Sequence, residues 1–261
     1  MSLVEYSLEG AVAVLTLNRP PMNALSAELI TGLRAAIARA ADPAVRAVVV
    51  TGSPHFAAGA DIGELKASAA GEVGTTADAK ATPAWHLTGV LLDLERLPKP
   101  VIAAIRGVAL GGGLELALCC DFRYLAEDAR VGLPEIKLGI FPGAGGTQRL
   151  PRVVGLSRAR ELIYTGRHLK ADEALAIGLA DLVVPGERLA ETAMELAQAL
   201  ARGATVAIGA AKRAINEGLS LGIEEGLALE RDAFASCLGS ADAREGLAAF
   251  LEKREAVFQG R

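Results

Sequence analysis

The run Gly111-Gly112-Gly113-Leu114-Glu115-Leu116-Ala117-Leu118-Cys119-Cys120-Asp121 joins three glycines to an apolar segment that reads as a buried helix, with one carboxylate inside it. It follows the apolar run Val101–Ile105, so the order is buried strand, glycine turn, buried helix. An ionised carboxylate in apolar surroundings costs several kcal/mol unless it is paired or hydrogen-bonded. Glu115 therefore marks either a stabilising partner or chemistry. The free N–H groups of a helix start point at whatever lies before it. A proton-transfer group beside an anion-stabilising turn is raw material for carbonyl chemistry.

The same layout occurs twice more upstream. Ala11–Leu17 reads as a strand, runs through Asn18-Arg19-Pro20-Pro21-Met22-Asn23-Ala24-Leu25, and opens a helical pattern at Ser26–Ala41. Arg46–Thr51 reads as another, followed by Gly52 to Asp61 and a helical pattern at Ile62–Ala67. After the third glycine turn the helical pattern is Leu114–Cys120. Continuous apolar strands alternating with helices predict an α/β protein with buried sheets, whose ligand site lies in the loops after the strands. Ala67–Pro83, rich in small residues, reads as an insertion over the site entrance, and Trp85–Leu97 as a helix stopped by Pro98-Lys99-Pro100. From Arg188 onward no strand pattern occurs. Helices are expected at Leu189–Ala201, Val206–Glu217, Ile223–Leu238 and Ala241–Phe258, which divides the chain into a body, 1–187, and a helical region, 188–261. Such helices either pack on another subunit or cover the sheet.

At 261 residues and 51% hydrophobic content the chain can bury a sizeable core, and with 4% aromatics that core is packed from small side chains. A net charge of −4 gives no footprint for nucleic acid and no polybasic membrane patch. No apolar run reaches a membrane span, and the N-terminus lacks the pattern of a secretory signal. The three cysteines, Cys119, Cys120 and Cys237, read as reduced thiols of a cytoplasmic protein. With three histidines, none at ligand spacing, no metal site is expected.

No Gly-Lys pair forms a phosphate loop, and no G-x-S-x-G elbow is present. Gly143-Ala144-Gly145-Gly146-Thr147-Gln148 superficially matches a dinucleotide loop, but ends in Gln and follows no clear strand. A second carboxylate in an apolar stretch, Glu135 of Leu133-Pro134-Glu135-Ile136, changes the reading of the first. Each has an ordinary alternative: Glu115 paired with a neighbour in a tightly packed helix, Glu135 solvated and paired with Lys137. Two poorly solvated carboxylates at one cavity form a general acid–base pair, and glycine turns supply donors to an oxyanion.

With Asn18-Arg19-Pro20, Asn23-Ala24-Leu25, Phe56 to Ile62, Ala109 to Ala117, Leu133-Pro134-Glu135 and Pro142 to Leu150, the chain resembles the crotonase superfamily, the enoyl-CoA hydratase/isomerase family, nearly end to end. The resemblance implies a spiral of ββα turns with a C-terminal helical region for oligomerisation, as a trimer or a dimer of trimers. It implies an acyl-CoA thioester substrate whose carbonyl lies between the N–H groups of Ala60 and Gly112. It further implies hydration of a trans-2-enoyl-CoA to a 3-hydroxyacyl-CoA by Glu115 and Glu135, Glu135 handling the Cα proton and Glu115 activating water. Coenzyme A would be bound around Met22, Ala24, Ala58, Ala60, Asp61, Ile62 and Gly112, with Phe250 and Lys253 reaching in from a neighbouring subunit. No metal or resident cofactor is implied. Gly63 stands where many relatives carry a lysine toward coenzyme A, with Lys66 nearby, and Leu133 replaces a glutamine found in some hydratases. The competing readings are an isomerase, a hydratase of branched or carboxylated enoyl-CoA, and a non-catalytic acyl-CoA-binding protein; retention of both glutamates favours hydration. The pathway, whether fatty acid metabolism or another route, is not encoded in these motifs.

Overall fold

A computed structural model describes residues 2–70 and 83–261 of the chain. Its larger sheet has six strands in the order β1 (Val4–Glu9), β2 (Val12–Leu17), β3 (Ala47–Gly52), β4 (Val101–Ile105), β6 (Phe122–Ala126) and β9 (Leu182–Val184). All neighbours are parallel except β1 and β2, which form a hairpin. A smaller sheet joins β5 (Val108–Leu110), β7 (Arg130–Gly132) and β8 (Leu169–Lys170). Val48 to Val50 and Val101 to Ile105 are buried on both faces, which is why these strands read as unbroken apolar runs.

β3, β4 and β6 each feed a short segment at the small sheet and then a helix or 3₁₀ turn. β3 leads through Ala57, which bridges in parallel to Ala109 of β5, to α2 (Ile62–Ala69). β4 leads through β5 to α4 (Gly112–Leu118), and β6 through β7 to a 3₁₀ turn, Pro134–Leu138. The result is the α/β spiral of ββα turns that the resemblance implies. α1 (Ala27–Ala40) is capped by the Ser26 hydroxyl, which accepts from Leu29 N, and buries Leu29, Ile30, Leu33 and Ile37. It packs against α3 (Pro83–Glu95). After α5 (Gly146–Val154), α6 (Leu156–Thr165) and α7 (Ala171–Ala176), α8 (Leu189–Arg202) lies across β2, β3, β4 and β6. α9 (Thr205–Gly218) and α10 (Ile223–Leu238) pack chiefly on each other, and α11 (Ala241–Glu252) follows.

Two expectations are corrected. The helix expected over Ala241–Phe258 stops at Glu252, where Lys253 takes a left-handed φ of 56°. The tail then folds back: Asp242 accepts from the amides of Gln259 and Gly260, and Arg46 donates to the Phe258 carbonyl. The stretch Ala67–Pro83 begins as the last turn of α2 rather than as an insertion, and residues 71–82 lie outside the described residues.

One buried side chain fastens the first two spiral turns together. Asn23 is fully buried with a left-handed φ of 52°. Its Nδ2 donates to the carbonyls of Leu17 (3.1 Å) and His55 (2.6 Å), and its Oδ1 accepts from the Arg19 amide (2.7 Å). Asn tolerates the left-handed conformation that alanine resists. Replacing Asn23 by Ala leaves these groups buried without partners and strains the backbone. The expected cost is about 3 kcal/mol, read as a lower midpoint in urea denaturation; an unchanged midpoint would remove Asn23 from this role.

Candidate active site

Three segments, 58–62, 111–115 and 133–144, converge on a cavity of about 140 Å3. Glu115 enters it from the first turn of α4 and is 2% exposed. Its Oε1 accepts from the amides of Ala144 and Gly146, each at 2.8 Å. Gly146 is the first residue of α5, so the carboxylate also sits at the positive end of that helix. Burial pushes the Glu115 carboxyl above the ordinary range, while the two amides and the Arg149 guanidinium oppose that rise. Two charge-assisted bonds on one oxygen favour the ion.

Glu135 occupies the 3₁₀ turn that Pro134 opens. Its Oε2 is buried without a partner, and it forms no ion pair with Lys137 among the described residues. Its pKa is pushed up to about 7, by burial first and by the negative charge of Glu115 in addition. Gly111 allows this approach. It has φ 52° and ψ −127°, and a Cβ there would lie 3.0 Å from Glu135 Oε1. The Gly111 amide donates to the Gly132 carbonyl at 2.9 Å, fixing the two turns side by side.

Leu25 bridges Ala60 through bonds from Leu25 N to Gly59 O and from Asp61 N to Leu25 O. Neither bond uses the Ala60 N–H, and the Gly112 N–H, at the start of α4, has no backbone acceptor among the described residues. The two lie close together, since a Cβ on Gly112 would stand 3.8 Å from Ala60 N. Both residues line the cavity with the two glutamates. Two unused amides at one wall form a donor pair for an oxygen that gains negative charge.

Ala58, Ala60, Ile62, Gly112, Glu115 and Glu135 are thus brought together. Met22, Ala24 and Asp61 shape the rim without lining the cavity. The Met22 carbonyl accepts from the Ala58 amide, and the Ala24 carbonyl from Arg19. The Asp61 carboxylate caps α2 by accepting from the Gly63 and Glu64 amides and pairs with Arg19 at 2.7 Å. The Glu64 amide and then Arg19 hold its carboxyl below the ordinary range. Phe250 and Lys253 lie on and just after α11, away from the cavity, and Phe250 is 83% exposed. Sequence reading passed over the apolar wall formed by Leu25, Ile30, Leu87, Leu138, Ile140 and Phe141. It also passed over the role of the glycine loop at 143–146, which binds the protein's own carboxylate rather than a dinucleotide.

Residues 7–261 match the enoyl-CoA hydratase/isomerase family. The chain is 44% identical to a short-chain-enoyl-CoA hydratase of Clostridium acetobutylicum over 95% of its own length and 94% of that protein's. It is 43% identical to a crotonyl-CoA hydratase of Syntrophomonas wolfei, covering 96% and 95% of the two chains. The crystal structure of an enoyl-CoA hydratase from Bacillus anthracis superposes with a TM-score of 0.90 at 40% identity, covering 99% of this chain and 100% of that one.

The raised Glu135 carboxyl links stability to pH. A carboxyl whose pKa is higher folded than unfolded favours the folded state while protonated, and that advantage is lost as pH rises through about 7. Glu135→Gln keeps the shape and cannot ionise. It is expected to stabilise the fold by of order 1 kcal/mol above neutrality, once partial solvation is discounted, and by little in mild acid. Urea melts of both proteins across the pH range measure this, and a pH-independent difference would contradict it.

Proposed function

Because this chain belongs to the enoyl-CoA hydratase/isomerase family and is an enoyl-CoA hydratase, we propose that Glu115 and Glu135 carry the addition of water across a trans-2-enoyl-CoA. The observation that carries this assignment is the contrast between them. One carboxylate accepts two amides on a single oxygen, the other has a buried, unpartnered oxygen and a pKa pushed up to about 7, and both face one cavity. Hydrogen bonds from amides favour the charged form of the first, and burial without them favours the neutral form of the second, which assigns base and acid.

The thioester oxygen lies between the N–H groups of Ala60 and Gly112, which stabilise the negative charge it gains as the enolate forms. Ionised Glu115 takes a proton from water as its oxygen bonds to Cβ, and neutral Glu135 gives a proton to Cα. The product is the 3-hydroxyacyl-CoA, and one proton returning from Glu115 to Glu135 resets the pair. The two carboxyls titrate as a unit. Coenzyme A enters as part of the substrate, and the chemistry calls for no resident cofactor or metal. The main chain at Met22, Ala24, Ala58, Asp61 and Ile62 frames its approach.

Exposed apolar side chains on the last helices, among them Ile223, Phe234, Leu247 and Leu251, support assembly into a trimer or a dimer of trimers through the region 188–261. In that assembly Phe250 and Lys253 reach the nucleotide of a neighbouring copy. Among the described residues no helix is long and apolar enough to cross a membrane, and the free cysteines fit a reducing, cytoplasmic setting.

Hydration of crotonyl-CoA, followed as loss of the enoyl thioester ultraviolet band, tests the reaction. Glu115→Gln and Glu135→Gln should each lower kcat by about 10²–10⁴-fold with the fold intact. A folded variant with wild-type turnover would strike that glutamate from the mechanism.

A further inference from the structure

Behind Glu115, outside the reacting cavity, Arg149 makes three engagements. Its Nε and Nη2 donate to the two carboxylate oxygens of Glu95 at 3.0 and 2.7 Å, and its Nη1 donates to the Ala144 carbonyl at 3.1 Å. The two side chains are 12% and 26% exposed, so the fork is largely shielded from water. Gly145 makes the approach possible, with φ 109° and no Cβ where Nη1 lies. The guanidinium therefore folds back over the turn that opens its own helix. That turn carries the Ala144 and Gly146 amides that hold Glu115 Oε1.

We propose that Arg149, fixed by Glu95, is a positioning residue for hydration: it sets the loop that grips Glu115 and supplies the positive charge behind that carboxylate. The proposal rests on the reaction assigned above and adds residues that never touch substrate. Among the described residues, the groups that interact electrostatically with Glu115 are Glu135 from the 3₁₀ turn, Cys119 on its own helix and Arg149 from α5, with Glu95 on α3 facing Arg149. Arg149 is the cation of this group and opposes the effect of burial on Glu115.

The test combines Arg149→Met, Arg149→Lys and Glu95→Gln with pH profiles of crotonyl-CoA hydration. Arg149→Met should lower kcat by ~10–100-fold with KM little changed. It should also move the acidic limb of kcat/KM to higher pH, because Glu115 then needs a higher pH to ionise. Arg149→Lys keeps the charge and should keep the limb, losing only part of kcat. Glu95→Gln loosens the fork that fixes Arg149 and should lower kcat by less than Arg149→Met. If Arg149→Met does not fold, these two variants decide: an upward limb in Arg149→Lys, or wild-type kcat in Glu95→Gln, overturns the proposal. So does a folded Arg149→Met protein with an unmoved limb, or one whose KM rises while kcat is unchanged.

A second readout needs no turnover. In urea denaturation at about pH 8, Arg149→Met should cost less in a Glu115→Gln background than in wild type, because the charge it faces is gone. Equal cost in both backgrounds overturns the proposal. Wild-type protein inert toward enoyl-CoA, with this coupling present, would instead overturn the reaction and leave the Arg149–Glu115 link standing.

Discussion

Two main-chain N–H groups on one oxygen of Glu115 are the interaction on which the site depends. A carboxylate 2% exposed in an apolar helix is costly to ionise unless hydrogen bonds compensate it. The Ala144 and Gly146 amides supply the counterweight without a side chain, at the end of a helix whose dipole has the right sign. The local sequence follows from this demand. Glycine at 145 opens the turn, and Arg149 and Glu95 brace it from behind.

The spiral delivers the remaining parts by repetition. The passages after β3, β4 and β6 each touch the small sheet and then start a helix or 3₁₀ turn beside the cavity. The bridges Leu25–Ala60 and Ala57–Ala109 tie these passages together, so the amides of Ala60 and Gly112 arrive at one wall. Asn23 secures the crossing from β2 to the 55–60 loop. The third passage places Glu135 against Gly111, where burial and a like charge keep it protonable. The two carboxyls thus differ in their backbone hydrogen bonding, not in residue type.

Much of this was legible in the sequence, and the reasons are physical. β3 and β4 are continuous apolar runs because both faces are covered, and α1 announces itself by Ser26 and a helical apolar stripe. Glu115 and Glu135 stand out because charge inside apolar sequence demands an explanation. β1 was missed because it is an edge strand with exposed Glu5, Ser7 and Glu9. β6 was missed because it carries Arg123, whose buried guanidinium is satisfied by Asp181 and by the Leu179 and Cys120 carbonyls. β5, β7, β8 and β9 span three residues or fewer, too short to show a period. The end of α11 was misplaced because Lys253 adopts a conformation its residue type does not signal. The loop that holds Glu115 was quoted for its glycines but not understood, since a carboxylate 29 residues away gives no local trace of its acceptor role.

The donor wall consists of main-chain N–H groups, which every amino acid except proline carries. Substitutions at Ala60 that preserve the local trace therefore leave the donor pair in place. The carboxyls, by contrast, can be deleted, moved or exchanged one codon at a time. The backbone trace thus fixes the donor pair, while the acidic groups beside it are set residue by residue.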